Sequence, residues 1–339
     1  MSQVSQDFGS QALRGPASLV AAGHPGLEEE SAPSAEASKP YQLKTMSTTE
    51  RTMNALKQGV FWGVHLMCFG ALWVGVSWVA AFVCVFLYVL RMFAITGGYH
   101  RYFSHRTYKT SRVFQFILGF IGASSAQKGP LWWAAHHRHH HRYSDTEEDI
   151  HPPSYGLWWA HVGWVLSSRF VDTRDDLVKD FTVYPEIRWL DKYHLLAPIA
   201  LGAAVFFLGY FLNLWFPGLG TSGMQMLIWG FFISTTLLFH GTFVINSLTH
   251  VIGSRRFNTS DNSRNNLLLA LITLGEGWHN NHHRYPGSER QGFYWWEIDI
   301  SHYILKTLSW VGLVWDIREP PERIYQEAIE TKKQRLGQA

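Results

Sequence analysis

Residues 59–76 read GVFWGVHLMCFGALWVGV, Ser77 follows, and residues 78–105 read WVAAFVCVFLYVLRMFAITGGYHRYFSH. The two apolar runs are parted by one serine, and His100 and His105 follow the second directly. Together the runs are too long for one crossing of a bilayer and fit two of about 20 residues each. They predict spans at about 59–76 and 78–98, folded as a hairpin. Arg91 is the one charge in them. It stands about two turns from the end of the second span and is expected to snorkel to the interface. A second pair of runs predicts spans at about 195–215 and 224–247, with Pro217, Gly218, Gly220 and Gly223 marking the turn between them. The run from Phe114 to Ala123 is too short to cross and predicts a buried or interface-lying helix. The expected fold is therefore all-α and integral to the membrane, with four transmembrane helices in two hairpins and a cytoplasmic helical cap.

Composition narrows the classes. The 339 residues include sixteen Trp and eighteen His, and the net charge of +3 is too small to argue for nucleic acid. Cys68 and Cys84 both lie in apolar runs, so neither a disulfide framework nor a cysteine zinc site is expected. Residues 1–50, rich in Ser, Ala, Gly, Glu and Pro, cannot bury enough apolar surface to order themselves and are read as a disordered tail. Met46, just before the organised region, is a candidate start. Residues 51–321 form the expected catalytic domain and 322–339 a cytoplasmic C-terminal helix and tail, with Arg318 to Gln334 reading as a charge-rich amphipathic helix. The turns at Ser77 and at 217–223 carry no Lys or Arg, whereas the segments 101–193 and 251–339 carry most of them. By the positive-inside tendency both termini and both long segments face the cytoplasm.

That topology, deduced without the histidines, puts four histidine clusters at one membrane face: His100 and His105; His136 to His141; His250; and His279, His282 and His283. In His137-x-x-His140-His141 and His279-x-x-His282-His283 the spacing is i, i+3, i+4, which on a helix shares a face and predicts three imidazoles converging on one point. Asn246 and His250 are likewise four apart. Imidazole suits iron, zinc, copper and nickel alike. Nine histidines exceed the three or four that one zinc takes and match two metals with four or five nitrogens each. A redox pair able to activate oxygen is the natural reading. A metal transporter or store would instead place its ligands within the spans, as a path across the bilayer.

These residues resemble the membrane fatty-acid desaturases, and within them the delta-9 acyl-CoA (stearoyl-CoA) desaturase branch. The first box is GYHRYFSHR at 98–106, the second HRHHHRYSD at 137–145, and the third GEGWHNNHH at 275–283 with Tyr285-Pro286 behind it; NSLTH at 246–250 is similar to a further ligand-bearing element. The resemblance covers about Leu56 to Pro321 and implies that residues 51–321 are a fatty-acid desaturase domain. It implies two iron ions held by His100, His105, His137, His140, His141, His250, His279, His282 and His283, with Asn246 reaching one metal through water. His136 and His139 are extra to the motif. His151 and His161 are not expected to be ligands, and His65 and His240 read as hydrogen-bonded polar residues of the bundle.

The resemblance also implies the reaction: O2, two electrons and a saturated acyl chain give a cis-alkene and two waters. Asp145, Glu148, Asp149 and Glu276 are candidate acceptors for the outer N–H of ligand imidazoles. Trp132, Trp133, Trp158, Trp159 and Trp164 are candidate walls of an acyl tunnel, or equally interface anchors. The implied partners are a long-chain acyl-CoA or acyl lipid, the bilayer, and an external electron donor of cytochrome b5 or ferredoxin type with its reductase. The endoplasmic reticulum and a bacterial inner membrane both fit. Related histidine-box enzymes hydroxylate instead; the four residues between His100 and His105, where that group usually shows three, favour desaturation.

Overall fold

The computed structural model describes residues 48–337. The expected disordered tail lies outside the described residues except for its last three positions. The principal helices are α1 (Thr48–Met67), α2 (Trp78–Ser104), α3 (Arg112–Ala123), α4 (Pro130–Tyr143), α5 (Leu196–Trp215), α6 (Gly223–His250), α7 (Leu267–Ile272), α8 (His279–Arg284), α9 (Ile300–Trp310) and α10 (Glu322–Arg335). A two-stranded antiparallel ribbon pairs Lys109–Thr110 with Val314–Trp315, in the register Thr110 to Val314.

Among the described residues three helices are long and apolar enough to cross a membrane: α2 with 27 residues, α5 with 20 and α6 with 28. The first expected span is helical to Val74 but is not among these three. Helix α1 begins in polar sequence, tightens into one 3-10 turn at Cys68–Gly70 and continues as α-helix over Ala71–Val74, where Gly75 ends it at positive φ. Gly70 lets the tightened turn pack closely, because a Cβ there would stand 2.7 Å from the Ile228 side chain of α6. Ser77 opens α2 by accepting a hydrogen bond from the Ala80 amide at 3.2 Å.

The expected end of the second span, at Gly98, is overrun. Helix α2 widens into π geometry at Ala94 and continues to Ser104, so His100 stands inside the helix and His105 caps it. Widened turns of this kind are frequent at functional sites. Close packing of α2 on α3 accompanies it: a Cβ on Gly122 would collide with the ring of Tyr99, next to His100.

Arg91 does not snorkel. It is buried against α6 and the end of α3, donating to Thr235 Oγ1 at 2.8 Å, Ser234 Oγ at 2.6 Å, the Ser124 carbonyl at 3.3 Å and the Leu87 carbonyl at 3.1 Å. Two hydroxyls and two carbonyls inside the bundle offer the guanidinium what the interface would, so it turns inward as intramembrane charges do. Arg91→Ala leaves those acceptors unsatisfied and is expected to cost about 2–4 kcal/mol. A thermal midpoint in detergent equal to that of the unaltered protein would contradict this.

The remaining apolar helix α3 spans twelve residues, as its short run predicts, and Ser111 caps it. The main core joins Met92, Ile95, Tyr99 and Phe103 of α2 to Leu118, Leu131, Ala134, Ala135, Leu238 and Leu305. It thereby fixes α2, α3, α4, α6 and α9 around the ends of the helices that carry histidines. The C-terminal amphipathic helix is α10, whose Ile324 and Ala328 pack on Phe257 and Phe293.

Candidate metal centre

Five short stretches bring nine histidines together: His100 from the widened part of α2, His105 at its end, His137, His140 and His141 on α4, His250 at the end of α6, and His279, His282 and His283 on α8. They form two clusters. One is His100, His105, His137, His141 and His282; the other is His140, His250, His279 and His283; within each the ligand nitrogens lie within 4.8 Å of one another.

Each i, i+3, i+4 box is therefore split, and the expectation that its three imidazoles meet at one point is corrected. At 3.6 residues per turn, i+4 lies about 40° round the helix from i, while i+3 lies about 60° to the other side. The i and i+4 pair can share one centre and i+3 must turn to another. On α4 the pair His137 and His141 joins the five-histidine cluster and His140 the other. On α8 the assignment is reversed, with His279 and His283 in the four-histidine cluster and His282 in the first.

The nitrogens meet through Nε2. In the first cluster the Nε2 pairs His100–His282, His105–His137 and His141–His282 are 3.0, 2.9 and 2.8 Å apart. In the second, His250–His279 and His279–His283 are 3.1 and 3.0 Å apart. Four of these rings donate their outer Nδ1–H to carboxylates: His100 to Glu276 at 2.5 Å, His140 to Asp149 at 2.9 Å, His250 to Asp145 at 3.0 Å and His283 to Asp261 at 2.7 Å. A neutral imidazole that donates through Nδ1 has a bare lone pair on Nε2. Bare nitrogens facing one another in a buried site repel unless a cation stands between them. A metal about 2.0–2.1 Å from each nitrogen puts ligands at right angles about 2.9–3.0 Å apart, which matches these spacings. The residues fit a pair of metal ions.

Protonation is suppressed where a metal would compete with it. Burial and the neighbouring imidazoles hold His105, His137, His141, His279 and His282 well below the ordinary histidine value, and burial brings His283 down to about 4 despite Asp261. Burial would lower His140 too, but the charges of Asp149, Asp145 and Asp261 outweigh it and raise this one ring.

Of the four carboxylates expected to back the ligands, Asp145, Asp149 and Glu276 reach them; Glu148 is exposed, and its backbone carbonyl instead accepts from His139 at 2.8 Å. Asp261 was missed, lying in the loop between His250 and the third box and outside both motifs; the only sign of it is the cluster of turn residues in Asn258-Thr-Ser-Asp261-Asn-Ser263. Arg101 was missed as well. Its fully buried guanidinium joins Glu276, Glu289 and Asp299 at 3.2, 3.1 and 2.9 Å. The half-buried Asn246 sits one turn before His250 at the end of α6.

The other histidines lie outside the two clusters. His136 binds the Trp132 carbonyl at 2.7 Å, whereas His151 lies against the His140 ring, centroids 4.3 Å apart, and with His140 and Asp149 forms a third group whose ligand atoms are within 4.8 Å of one another. His65, His240 and His161 form a linear chain, His65 Nε2 to His240 Nε2 at 3.2 Å and His240 Nδ1 to His161 Nε2 at 3.0 Å, ending on Ser247 Oγ at 3.0 Å. That arrangement passes through both nitrogens of His240 and has no common centre.

The five tryptophans are distributed over three places. Trp133 lies on His137 at 5.1 Å and beside Tyr99 and His100. Trp132 and Trp164 stack 6.1 Å apart in a separate core with Ile150 and Phe170. Trp158 and Trp159 border an open cavity of about 470 Å³ with Asn54, Gln58 and Arg169.

The family profile described as fatty acid desaturase matches residues 76–312. The chain is 35% identical over 268 residues to the acyl-CoA C20 delta5-desaturase of Anemone leveillei, covering 77% of this chain and 80% of the relative. It is 33% identical over 279 residues to the sn-1 stearoyl-lipid 9-desaturase of Anabaena variabilis, covering 80% and 96%. Against the palmitoyl-monogalactosyldiacylglycerol delta-7 desaturase of Arabidopsis thaliana it is 31% identical over 250 residues, covering 73% and 64%. With a buried histidine-rich metal site at the ends of apolar helices and these relatives, the chain belongs to the membrane fatty acid desaturase family and is an oxidoreductase that desaturates acyl chains.

Proposed function

We propose that this protein introduces a cis double bond at the delta-9 position of a long saturated acyl chain, using two iron ions, O2 and electrons from a separate cytochrome b5 or ferredoxin-type carrier, in the biosynthesis of unsaturated fatty acids. The observation that carries the reading is the pair of buried, Nε2-convergent histidine clusters. Relatives named for delta-5, delta-7 and delta-9 positions, and for acyl-CoA and lipid carriers, make position and carrier the finer part of the proposal.

The nine histidines are the proposed iron ligands, and Asn246 approaches the four-histidine cluster through water. Bound iron supplies what no side chain can, oxygen chemistry strong enough for an unactivated methylene. The protein's own groups orient and shield. Asp145, Asp149, Asp261 and Glu276 fix ring tautomer and direction, and Trp133 keeps water from the face of His137. Trp132, Trp133, Trp158, Trp159 and Trp164 remain proposed contacts of the acyl chain and its entrance. Residues 59–76 make the fourth crossing, and both termini and the metal centre face the cytoplasm of a bacterium or the cytoplasmic side of the endoplasmic reticulum.

Expression in a host lacking its own delta-9 desaturase is expected to yield a new cis-monoene by gas chromatography–mass spectrometry. Derivatisation should place the bond at carbon 9, and feeding labelled acyl-CoA or labelled lipid separates the carriers. A hydroxy acid as the product would move the protein to a hydroxylase.

A further inference from the structure

The nine histidines are not backed alike. In the four-histidine cluster three of four rings donate to aspartates: His140 to Asp149, His250 to Asp145 and His283 to Asp261. The other hydrogen bonds of these aspartates come from backbone amides (Asn262 to Asp145; Asp145 and His151 to Asp149; Ser263 to Asp261) and from the Ser263 hydroxyl. Among the described residues none of the three is ion-paired with an arginine or lysine.

The five-histidine cluster has a different surround. Among the described residues only His100 of its rings is hydrogen-bonded to a carboxylate, Glu276, and that carboxylate is shared with the Arg101 guanidinium at 3.2 Å. His282 Nδ1 is buried without a hydrogen-bond partner among the described residues, as is His279 Nδ1 in the four-histidine cluster, so the two clusters differ in their carboxylates and not in this. Arg138 adds a positive field that bears on His105, although its own partner is Asp180.

Charge and ligand basicity point the same way. A carboxylate behind a ligating imidazole makes the ring a stronger donor and holds it in line. Three carboxylate charges in a dry site also attract a dication directly, where the dielectric screens them weakly. Against this the five-histidine cluster offers one more neutral nitrogen.

We infer that the cluster of His140, His250, His279 and His283 is the tighter of the two metal sites, filled first and emptied last, although it has fewer histidines. The inference rests on the dimetal reading of the preceding section and adds an order to it.

The test uses purified holoprotein dialysed against graded EDTA, with metal per chain read by inductively coupled plasma mass spectrometry. The unaltered protein should lose its metal in two steps. Asp149→Asn and Asp261→Asn should move the step at higher EDTA to a chelator concentration about 10–100-fold lower. Glu276→Gln should move only the step at lower EDTA, and Asp261→Glu, which keeps the charge, should restore most of the loss. Monodispersity on size exclusion identifies variants that fold, and Asp145→Asn replaces either aspartate variant that does not. A single release step overturns the order, as does a Glu276→Gln variant that moves the tighter step while the aspartate variants leave it in place. Well-folded unaltered protein that carries no metal at all would instead overturn the dimetal reading beneath it.

Discussion

Replacing Arg101 with alanine is expected to leave the chain too unstable to accumulate as folded protein. The guanidinium is fully buried on α2, one residue after a cluster histidine, and faces three carboxylates that are themselves buried: Glu276, Glu289 and Asp299. Removing one partner of a buried ion pair costs about 3–5 kcal/mol, because the other charge is left without compensation. Here three charges are left behind, against a total stability of about 5–15 kcal/mol for a typical domain. Asp299 also caps α9 by accepting from the His302 amide at 3.1 Å, and Glu289 accepts from His302 Nδ1 at 2.6 Å, so the disturbance would reach a second helix. Arg101→Lys keeps the charge but not the planar fork that serves three acceptors, and should be intermediate. Neutralising the orphans in Arg101→Ala/Glu289→Gln/Asp299→Asn should recover part of the yield, a coupling expected only if charge is the cause. Size-exclusion profiles of detergent extracts measure all three. A monodisperse Arg101→Ala protein with an unchanged melting temperature would remove this network from the account of stability.

Single-histidine variants on α4 are expected to abolish activity and to affect different metals. His140→Ala takes one of four nitrogens from its cluster and leaves the buried Asp149 carboxylate without its imidazole. His137→Ala takes one of five from the other, three residues away on the same helix. Because loss of an outer-sphere partner alone costs about 10–100-fold in metal affinity, loss of a ligand should cost at least that. Monoene formation should fall below detection in both, while each purified variant keeps close to one metal per chain in place of two. His136→Ala, a neighbour outside both clusters, should retain two. If His137→Ala and His140→Ala each lost both metals, the division of the box between two centres would have to be given up in favour of one interdependent site.

Most of what makes this protein a membrane enzyme is legible in the order of its residues, because the forces concerned are local or repetitive. Apolar runs of bilayer length predict helices, since a helix is the one spanning structure in which a single segment satisfies its own backbone in lipid. The runs at 78–98, 195–215 and 224–247 duly appear as helices, to within a few residues at most of their ends. Histidines at i, i+3 and i+4 announce a ligand-bearing helix for the same geometric reason. The run at 59–76 shows the limit of this. Hydropathy measures preference for lipid but not helix geometry, and the helix tightens at Cys68–Gly70, where Gly70 packs on Ile228, more than 150 residues away.

What the tertiary structure alone decided is how the polar groups are shared. The spacing of either H-x-x-H-H box turns its middle histidine away from the other two, but nothing in the box says what that histidine meets, because the second centre is built by residues from other helices. Arg91 reads as a charge near the end of a span until Ser234, Thr235 and Ser124 converge on it. Asp261 reads as a loop residue until His283 is placed 2.7 Å from it. Sequence by itself determined the helices, the membrane and the metal chemistry, which follow from the period and polarity of neighbours along the chain. Folding decided which histidine serves which centre, the carboxylates behind each and the place of every buried charge, because a buried polar group is satisfied by whatever partner the fold brings within about 3 Å, and that partner is distant in sequence.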